Sequence, residues 1–496
     1  MDGLFPLFAL LCGGACAWGF YRQGRAEDPL AAPSKRAQQT ALLEPFTLPA
    51  CIVIWFAVAL LFWRTRQGSM FLVVQLVLCF LYISVYYALL LCTLPLLRRL
   101  FSARACATLW LLPNFLYLLA NFRLLNDLPP LVALTLPRRW LGAIALVWGV
   151  GFVLVLLGQV LSHLRYRRFL LGAAKPVRDG ELAFQWENEQ RRRSAKKLIP
   201  MVVSERARTP LTIGCFPGTM RLVLPHLNYT PEEFQLIFRH EMRHIQRADT
   251  RTKASLGFYT ALCWFNPLMW AARRKVSDDL ELSCDELVLT GEDEFTRQRY
   301  ARLLLDTAGS GKGYTTCLSA AASSLRYRLK HIVRPRKRLS GIFLVALTLC
   351  ILVLGSNAVA LTDSPDTVQA QVFDQSLARG AVASIYLRDW EELPENRCVY
   401  RWDEEALTEY LASLTGREVY TTDPYLQQSN GRRALILNYR LETPSPWTTS
   451  LLLCDGLLIV EFPYRSVDRK VFLLEDELDW TYLASLLDLH AAAPEG

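Results

Sequence analysis

Long apolar runs constrain the fold of this 496-residue chain more than any other feature. A helix needs about 20 consecutive apolar residues to cross a bilayer, and six stretches reach or approach that length. These stretches are Leu4–Tyr21, Leu48–Trp63, Phe71–Leu94, Cys106–Phe122, Trp140–His163 and Gly341–Leu361. The pattern predicts a multi-pass α-helical membrane protein rather than a water-soluble enzyme.

The charge distribution predicts on which side of the membrane each remaining part lies. Residues 163–340 contain 32 Lys and Arg against 18 Asp and Glu, whereas residues 362–496 contain 11 against 23. Basic segments stay preferentially in the cytoplasm, so we expect the first part inside the cell membrane and the second outside. No nucleic-acid motif accompanies the basic part, and attraction to anionic lipid accounts for its charge better than direct binding of nucleic acid.

These two features divide the chain into four expected parts. Residues 1–163 would form an N-terminal transmembrane region of about five helices, and residues 164–340 a cytoplasmic domain. Residues 341–361 would form the last transmembrane helix, and residues 362–496 an extracytoplasmic domain. The sequence is also compatible with a homodimer.

The acidic C-terminal part alternates between strand and helix patterns, which predicts a small α+β domain. This domain is a candidate sensor, and a structural cap that binds no ligand is the alternative. The strand-like segments are Ala434–Glu442 and Leu457–Arg465, and the amphipathic helical segments are Glu404–Leu414 and Asp479–His490. Cys398 and Cys454 both lie in this part. They would form a disulfide only if it is extracytoplasmic, and the sequence leaves their pairing open.

Residues typical of a helix N-terminus predict that a helix begins near Thr230 in the basic part. Thr230 is a suitable N-cap, Pro231 suits the first helical position, and Glu233 completes a capping box. The helix should therefore continue through FRHEMRHIQRADT, residues 238–250. Upstream, Leu211–Pro225 contains short β-rich runs broken by Pro and Gly, which predicts a small hairpin whose edge could bind an extended peptide.

Within that helix, His240 and His244 lie four residues apart, so both imidazoles can bind one zinc ion. Glu241 lies beside them, where a carboxylate can take a proton from an attacking water and pass it to the leaving amine. Catalytic zinc usually has three protein ligands. Glu281 and Asp285, four apart on a partly apolar helical pattern, supply a candidate third ligand and a carboxylate that orients a zinc-bound histidine. The alternatives are a charged, solvated helix and exposed acids in surface salt bridges.

Two blocks in this part resemble the BlaR/MecR-type membrane zinc metallopeptidases, a family of signal transducers. They are LVLPHLNYTPEEFQLIFRHEMRHIQRADT, residues 222–250, and WFNPLMWAARRKVSDDLELSCDELVL, residues 264–289. The resemblance covers roughly residues 165–361. It implies a mainly helical, gluzincin-like zinc-protease domain with a small β element.

Carried onto this sequence, the resemblance implies roles for individual residues. The zinc ligands would be His240, His244 and Glu281, the catalytic acid and base would be Glu241, and the supporting carboxylates would be Asp285 and Asp249. Family members are thought to cut themselves in a comparable stretch before the last transmembrane helix, which here points to Ser323, Ser324 and Leu325. An ordinary linker is the alternative explanation of that stretch.

The activity implied by the resemblance is a membrane zinc endopeptidase of bacterial signal transduction. An extracytoplasmic signal would switch it to cut itself, a cytoplasmic repressor protein, or both. Two other functions stay open: a non-proteolytic receptor with a structural metal site, and a constitutive quality-control protease resembling HtpX. Glu241 argues against the first, because a structural site needs no general base, and the large acidic domain argues against the second.

The chain departs from the best-known members of that family in its C-terminal part. Those members carry a penicillin-binding sensor domain with a Ser-x-x-Lys motif after the last transmembrane helix. Here only about 135 residues follow, and the nearest pair, Ser466 and Lys470, is one residue too widely spaced for the motif. We therefore expect that this chain does not sense β-lactams covalently.

Overall fold

The structure is a computed structural model. It describes residues 4–27, 44–62, 66–119, 130–192, 198–216, 218–308, 322–333, 338–356, 358–377, 380–388, 397–420, 433–441, 448–461 and 469–488. The described part is mostly helical and contains two β-sheets.

The N-terminal region is built from apolar helices and one short strand. In chain order these are α1 (Leu4–Glu27), α2 (Thr47–Phe62), α3 (Arg66–Leu100), α4 (Ala103–Leu109), α5 (Leu116–Leu119), β1 (Val132–Thr135) and α6 (Arg138–Leu171). Within the described residues, two helices are long and apolar enough to cross a membrane: Leu72–Leu100 of α3 and the whole of α6. Most apolar side chains of α6 are exposed, as expected for a surface in contact with lipid. Any further crossing stays a prediction.

The fourth apolar run does not form the predicted spanning helix Cys106–Phe122. Helix α4 ends at Leu109, and a 3₁₀ turn at Leu112–Phe115 contains Pro113, which lacks the backbone N–H that an α-helix interior requires. Residues 120–122 lie outside the described residues. The run is apolar because it is buried in protein: Tyr86 and Tyr87 of α3 donate hydrogen bonds to the carbonyl oxygens exposed by the break.

The basic part combines six helices with a small sheet. In chain order its elements are β2 (Lys175–Pro176), α7 (Gly180–Arg192), β3 (Met201–Val203), β4 (Leu211–Ile213), β5 (Arg221–Leu224), α8 (Pro231–Gln246), α9 (Asp249–Leu262), α10 (Pro267–Val288), α11 (Glu294–Ala308) and α12 (Ala322–Val333). The sheet order is β2-β3-β5-β4. The antiparallel pairing of β4 with β5 confirms the predicted hairpin.

The C-terminal part begins with α13 (Ile342–Gly355), which is shorter than the predicted span Gly341–Leu361. Residues 359–361 belong instead to a strand. The elements that follow are β6 (Val359–Thr362), β7 (Asp366–Thr367), a π-helical segment Gln369–Leu377, β8 (Gly380–Arg388), β9 (Arg397–Val399), α14 (Glu404–Ser413), β10 (Thr415–Val419), β11 (Ala434–Leu441), β12 (Thr448–Cys454), β13 (Leu457–Glu461), β14 (Arg469–Leu474) and α15 (Trp480–Ser485). They form a sheet with helices, as predicted for an α+β domain.

The strand order of this sheet is β1-β6-β10-β14-β13-β12-β11-β8-β9, with β7 beside β10. Cys398 on β9 and Cys454 on β12 are therefore separated by β8 and β11. Three strand spacings amount to about 14 Å, whereas disulfide-bonded Cα atoms lie within about 7 Å. No disulfide joins the two cysteines in this arrangement.

The same sheet holds the ends of two apolar helices together. Strand β1 immediately precedes α6, β6 follows α13, and the two strands pair in parallel through identical sequences, Val-Ala-Leu-Thr, at Val132–Thr135 and Val359–Thr362. Arg138, at the start of α6, also pairs with Asp363 and Glu418 of the C-terminal part. The basic part packs along the rest of α6. The indole N–H of Trp148 donates a hydrogen bond to the carbonyl of Leu262, and Ser204 donates one to the carbonyl of Leu170 near the end of the helix. At 1.5 Å per residue, the 34 residues of α6 are about 50 Å long, and the opposite sides predicted for the two parts stay a prediction.

A buried ion pair ties the basic part to the apolar helices. Asp279 of α10 is fully buried and accepts hydrogen bonds from Arg98 of α3 at 2.8 Å and from the indole N–H of Trp110 at 2.9 Å. Burial raises the pKa of Asp279 to about 6 against the opposing effect of Arg98, so the carboxylate is ionised at neutral pH. Removing one partner of such a pair leaves an uncompensated buried charge.

We expect Asp279→Ala to lower the free energy of unfolding by about 3 kcal/mol, because Arg98 loses the buried carboxylate with which it pairs. The measurement is the apparent melting temperature of the purified chain in detergent. Glu187→Ala is the matched control, since Glu187 forms an exposed pair with Arg191 on α7 and such pairs contribute little. Equal melting temperatures for the two variants would contradict the assigned role of Asp279.

Candidate metal centre

Helix α8 begins where the sequence predicts it to begin. The Thr230 hydroxyl accepts a hydrogen bond from the Glu233 backbone N–H at 3.3 Å, and the Glu233 carboxylate accepts one from the Thr230 N–H at 2.8 Å. The predicted capping box is confirmed, with Pro231 in the first turn. One side of the helix packs apolar residues such as Phe238 into the core formed with α7 and the sheet. The side that carries the histidines is also buried, against α9 and α10.

The structure brings the three predicted ligand side chains together. The Nε2 atoms of His240 and His244 lie 3.0 Å apart. The Oε2 atom of Glu281, on α10, lies 3.6 Å from His240 Nε2 and 3.5 Å from His244 Nε2. All three residues are less than 9% exposed. Three potential ligand atoms therefore meet at one point between α8 and α10.

Hydrogen bonds at the two Nδ1 atoms, on the side of each ring away from this point, orient both imidazoles. His244 Nδ1 lies 2.6 Å from Asp249 Oδ2, and a carboxylate can only accept here, so Nδ1 carries the proton. Burial raises the pKa of Asp249, but Arg247 and His244 outweigh it and lower the net pKa, so Asp249 stays ionised. In the neutral imidazole with this tautomer, the lone pair is on Nε2, which faces the cluster. This is how a carboxylate usually supports a metal-bound histidine.

A second chain of hydrogen bonds orients His240. The Tyr300 hydroxyl, on α11, donates to Asp285 Oδ1 at 2.7 Å and lies 2.9 Å from His240 Nδ1. Burial, together with Asp285, raises the pKa of Tyr300 well above its usual value, so the phenol keeps its proton. Since that proton is used toward Asp285, the phenolic oxygen accepts from His240 Nδ1–H. In the neutral imidazole this tautomer puts the lone pair of His240 on Nε2, which faces the same point as His244 Nε2.

Glu281 meets the requirements for an anionic ligand. Burial by itself raises the pKa of Glu281, but Lys253 and the two imidazoles lower it, and the net pKa lies well below the usual value. Lys253 Nζ of α9 lies 3.1 Å from Oε1. The other oxygen, Oε2, accepts no hydrogen bond from any residue that the structure describes. A buried carboxylate oxygen of this kind, facing two imidazole nitrogens, fits a bound cation.

The predicted catalytic residue Glu241 lies next to the cluster on α8 and is 3% exposed. Its Oε2 atom accepts a hydrogen bond of 2.7 Å from the hydroxyl of Thr212 in β4. The hairpin predicted as a peptide-binding edge therefore contacts the candidate general base. Leu211, Thr212 and Ile213 are all buried, so a peptide can add to this edge only after the residues that cover it move.

Sequence reasoning missed several residues of the centre, and one of them, Cys284, offers a thiol as a further potential metal ligand. Potential ligand atoms of His240, His244 and Cys284 all lie within 4.8 Å of one another. Burial raises the pKa of the Cys284 thiol, but the two imidazoles lower it to about 7. Cys284 Sγ donates a hydrogen bond to the His240 carbonyl oxygen at 3.5 Å, whereas Glu281 Oε2 accepts no hydrogen bond from a described residue, so Glu281 fits the third position better. The position of Cys284, three residues after Glu281 on the same helix, could have revealed it.

The other missed residues, Thr212, Lys253, Tyr300 and Arg328, come from four different elements. No spacing within the sequence connects them to the motif. The predicted cleavage residues Ser323, Ser324 and Leu325 lie in the first turn of α12, and residues 309–321 lie outside the described residues. Cleavage there would require that turn to unwind, because a protease binds its substrate in an extended conformation. The cleavage position stays a prediction.

Comparison with known proteins agrees with this geometry. The family described as BlaR1 peptidase M56 matches residues 132–332, from β1 to α12. The regulatory protein BlaR1 of Bacillus licheniformis is 26% identical over 190 residues, which are 38% of this chain and 31% of that protein. The chain thus spans about a third of the length of this relative. Residues 132–332 are thus similar to the BlaR1-type M56 peptidase domain, which supports the resemblance to the BlaR/MecR-type peptidases.

Proposed function

We propose that this chain is a zinc-dependent endopeptidase of bacterial signal transduction in the cell membrane. The observation that carries the proposal is the convergence of His240, His244 and Glu281 beside Glu241. Two neutral imidazoles and one carboxylate form the set of protein ligands that hydrolytic zinc sites use. When bound there, zinc would polarise the scissile carbonyl and make water a stronger nucleophile at neutral pH.

The residues of the chain divide the remaining work. Glu241 accepts a proton from the attacking water at one carboxylate oxygen and passes it to the nitrogen of the leaving amine. Thr212 holds the other oxygen and so fixes the direction in which the free one points. Asp249 and the Tyr300–Asp285 pair keep the two imidazoles oriented. Strand β4 is the proposed edge on which an extended peptide lies, since backbone hydrogen bonds position an amide without requiring one sequence.

The signalling part of the proposal follows from the sheet at the other end of α6. Because β1 and β6 pair, a change in the C-terminal sheet acts on the start of α6 and the end of α13 together. The proposed substrates are the chain itself, near Ser323–Leu325, and a cytoplasmic repressor protein. The family relationship supports this pathway, and the C-terminal sheet favours it over a constitutive quality-control protease.

A second candidate function, a receptor with a structural metal site, is favoured by one observation. Cys284 places a fourth potential donor within 4.8 Å of both histidine nitrogens. A zinc ion bound by four protein ligands has no open position for water and is structural. The role of Cys284 therefore separates the two functions.

Substitution of Glu241 tests the hydrolytic function. We expect Glu241→Gln to keep about one zinc per chain and to lose cleavage activity by at least about 100-fold, because Gln cannot accept the proton. The measurements are zinc content by elemental analysis and the formation of fragments from the chain and from an unfolded protein such as casein. Glu205→Gln, an exposed carboxylate of the same domain, is the control. Unchanged cleavage by Glu241→Gln would refute the assigned role.

Substitution of the two competing donors tests the ligand set. We expect Glu281→Gln to lower zinc affinity by about 10- to 100-fold or more, because an anionic ligand is lost, while Cys284→Ala retains both zinc and cleavage. Zinc affinity is measured by competition with a chelator on the full chain in detergent. The opposite result, in which only Cys284→Ala releases zinc, would favour the structural site.

A further inference from the structure

Helix α12 inserts one charged side chain into the candidate metal centre. Arg328 is fully buried. Its Nε atom donates to Asp285 Oδ2 at 2.6 Å, and its Nη2 atom donates to Asp285 Oδ1 at 2.7 Å. A bidentate pair of this kind fixes both the position and the plane of the carboxylate. Arg328 therefore determines how Asp285 is presented to its other partner.

That other partner is Tyr300, which connects Asp285 to His240. Asp285 Oδ1 also accepts from Tyr300, whose oxygen accepts from His240 Nδ1. The orientation of the first imidazole thus depends on a path that begins at the guanidinium of Arg328. No part of this path requires Arg328 to touch a substrate or a metal ion.

Arg328 also lies close to the third ligand. Its Nη1 atom is 3.5 Å from Glu281 Oε2 and makes no hydrogen bond within the described part of the chain. Glu281 and Asp285 are one helical turn apart on α10, so a single guanidinium faces both carboxylates. Lys253 holds the opposite oxygen of Glu281. The carboxylate that would bind the metal is therefore placed between two cations.

The helix that carries Arg328 is connected to the start of α13. The preceding residue, Tyr327, packs under the guanidinium of Arg98 at the end of α3, with 4.7 Å between the guanidinium carbon and the ring centroid. After α12, Arg338 pairs with Glu286 of α10 at 2.7 Å. Leu339 then exchanges backbone hydrogen bonds with the end of α3 and the start of α4, three residues before α13 begins. Movement of this segment would shift Arg328 relative to α10.

We propose that Arg328 is a positioning residue of the metal centre, through which the segment leading into α13 sets the orientation of His240 and Glu281. The identity of the metal is taken from the proposed function. The inference adds the residue that links the metal centre to the last apolar helix. With Arg328 in place, the two ligands are aligned for zinc. With α12 displaced, Asp285 and Glu281 lose a shared cation, and His240 loses its fixed tautomer.

The test compares metal binding by Arg328→Gln and Arg326→Gln in the full chain. Arg326 lies on the same helix but is exposed, so its substitution controls for loss of charge on α12. Zinc affinity is measured by chelator competition, and the visible spectrum of the Co²⁺-loaded chain reports ligand geometry independently of activity. We expect Arg328→Gln to bind zinc about 10- to 100-fold more weakly and to change the Co²⁺ spectrum, while Arg326→Gln matches the wild type.

Two further variants separate positioning from folding. Arg328→Lys keeps the charge but lacks the bidentate fork, so we expect it to restore folding with an altered Co²⁺ spectrum. Asp285→Asn with Arg328→Gln removes the buried unpaired carboxylate, so this double variant should fold even where Arg328→Gln alone does not. We expect it still to bind zinc weakly.

The outcomes distinguish a failure of the role of Arg328 from a failure of the proposed function. Wild-type zinc affinity together with a wild-type Co²⁺ spectrum in Arg328→Gln, or in the double variant, would overturn the role of Arg328 and leave the proposed function intact. A wild-type chain that binds no zinc would overturn the proposed function itself. Weakened binding confined to the Arg328 variants supports the inference.

Discussion

The burial of charged side chains along α10 is the constraint on which the rest of the structure depends. Asp279, Glu281 and Asp285 are 0%, 7% and 1% exposed. An ionised carboxylate in a protein interior is strongly destabilising unless cations and hydrogen-bond donors surround it. Each of these three carboxylates meets its cation from a different helix, namely α3, α9 and α12. Those helices can therefore pack in only one arrangement around α10 without leaving a buried charge unpaired.

This arrangement makes α10 the element that joins the apolar helices to the metal centre. Its Asp279 side is fixed to α3 and to the break after α4, and its Glu281 side faces α8. Because Asp279 and Glu281 are only two residues apart on a rigid helix, a shift of α3 relative to the basic part cannot leave the ligand in place. The ion pair with Arg98 is thus more than a packing contact. It fixes the position of α10 along its axis, and with it the position of Glu281 relative to His240 and His244.

Much of the site could be predicted from local sequence patterns. The parts that depend on contacts between distant segments could not be predicted. The capping box at Thr230 and the four-residue spacing of His240 and His244 are properties of a single helix, so both could be read directly. Tyr300 and Arg328 belong to other helices, and nothing in their own neighbourhood shows that they face Asp285. The same reason explains the error at Cys106–Phe122, where an apolar run looked like a membrane span. Its apolar residues are buried by helices far away in the sequence, and Pro113 breaks the helix within it.

The two repeated Val-Ala-Leu-Thr segments extend this reasoning to the other end of the molecule. Neither four-residue strand has enough hydrogen bonds to be stable alone, so each depends on its partner and on β10 beside β6. Their pairing holds the start of α6 next to the end of α13, while the far ends of both helices reach the basic part. At the level of Leu339, backbone hydrogen bonds join the residues just before α13 to the end of α3. Within the described residues, Arg338 pairs with Glu286 of α10, and Arg328 reaches His240 through Asp285 and Tyr300. The proposed path therefore depends on how α12 and α10 pack against each other.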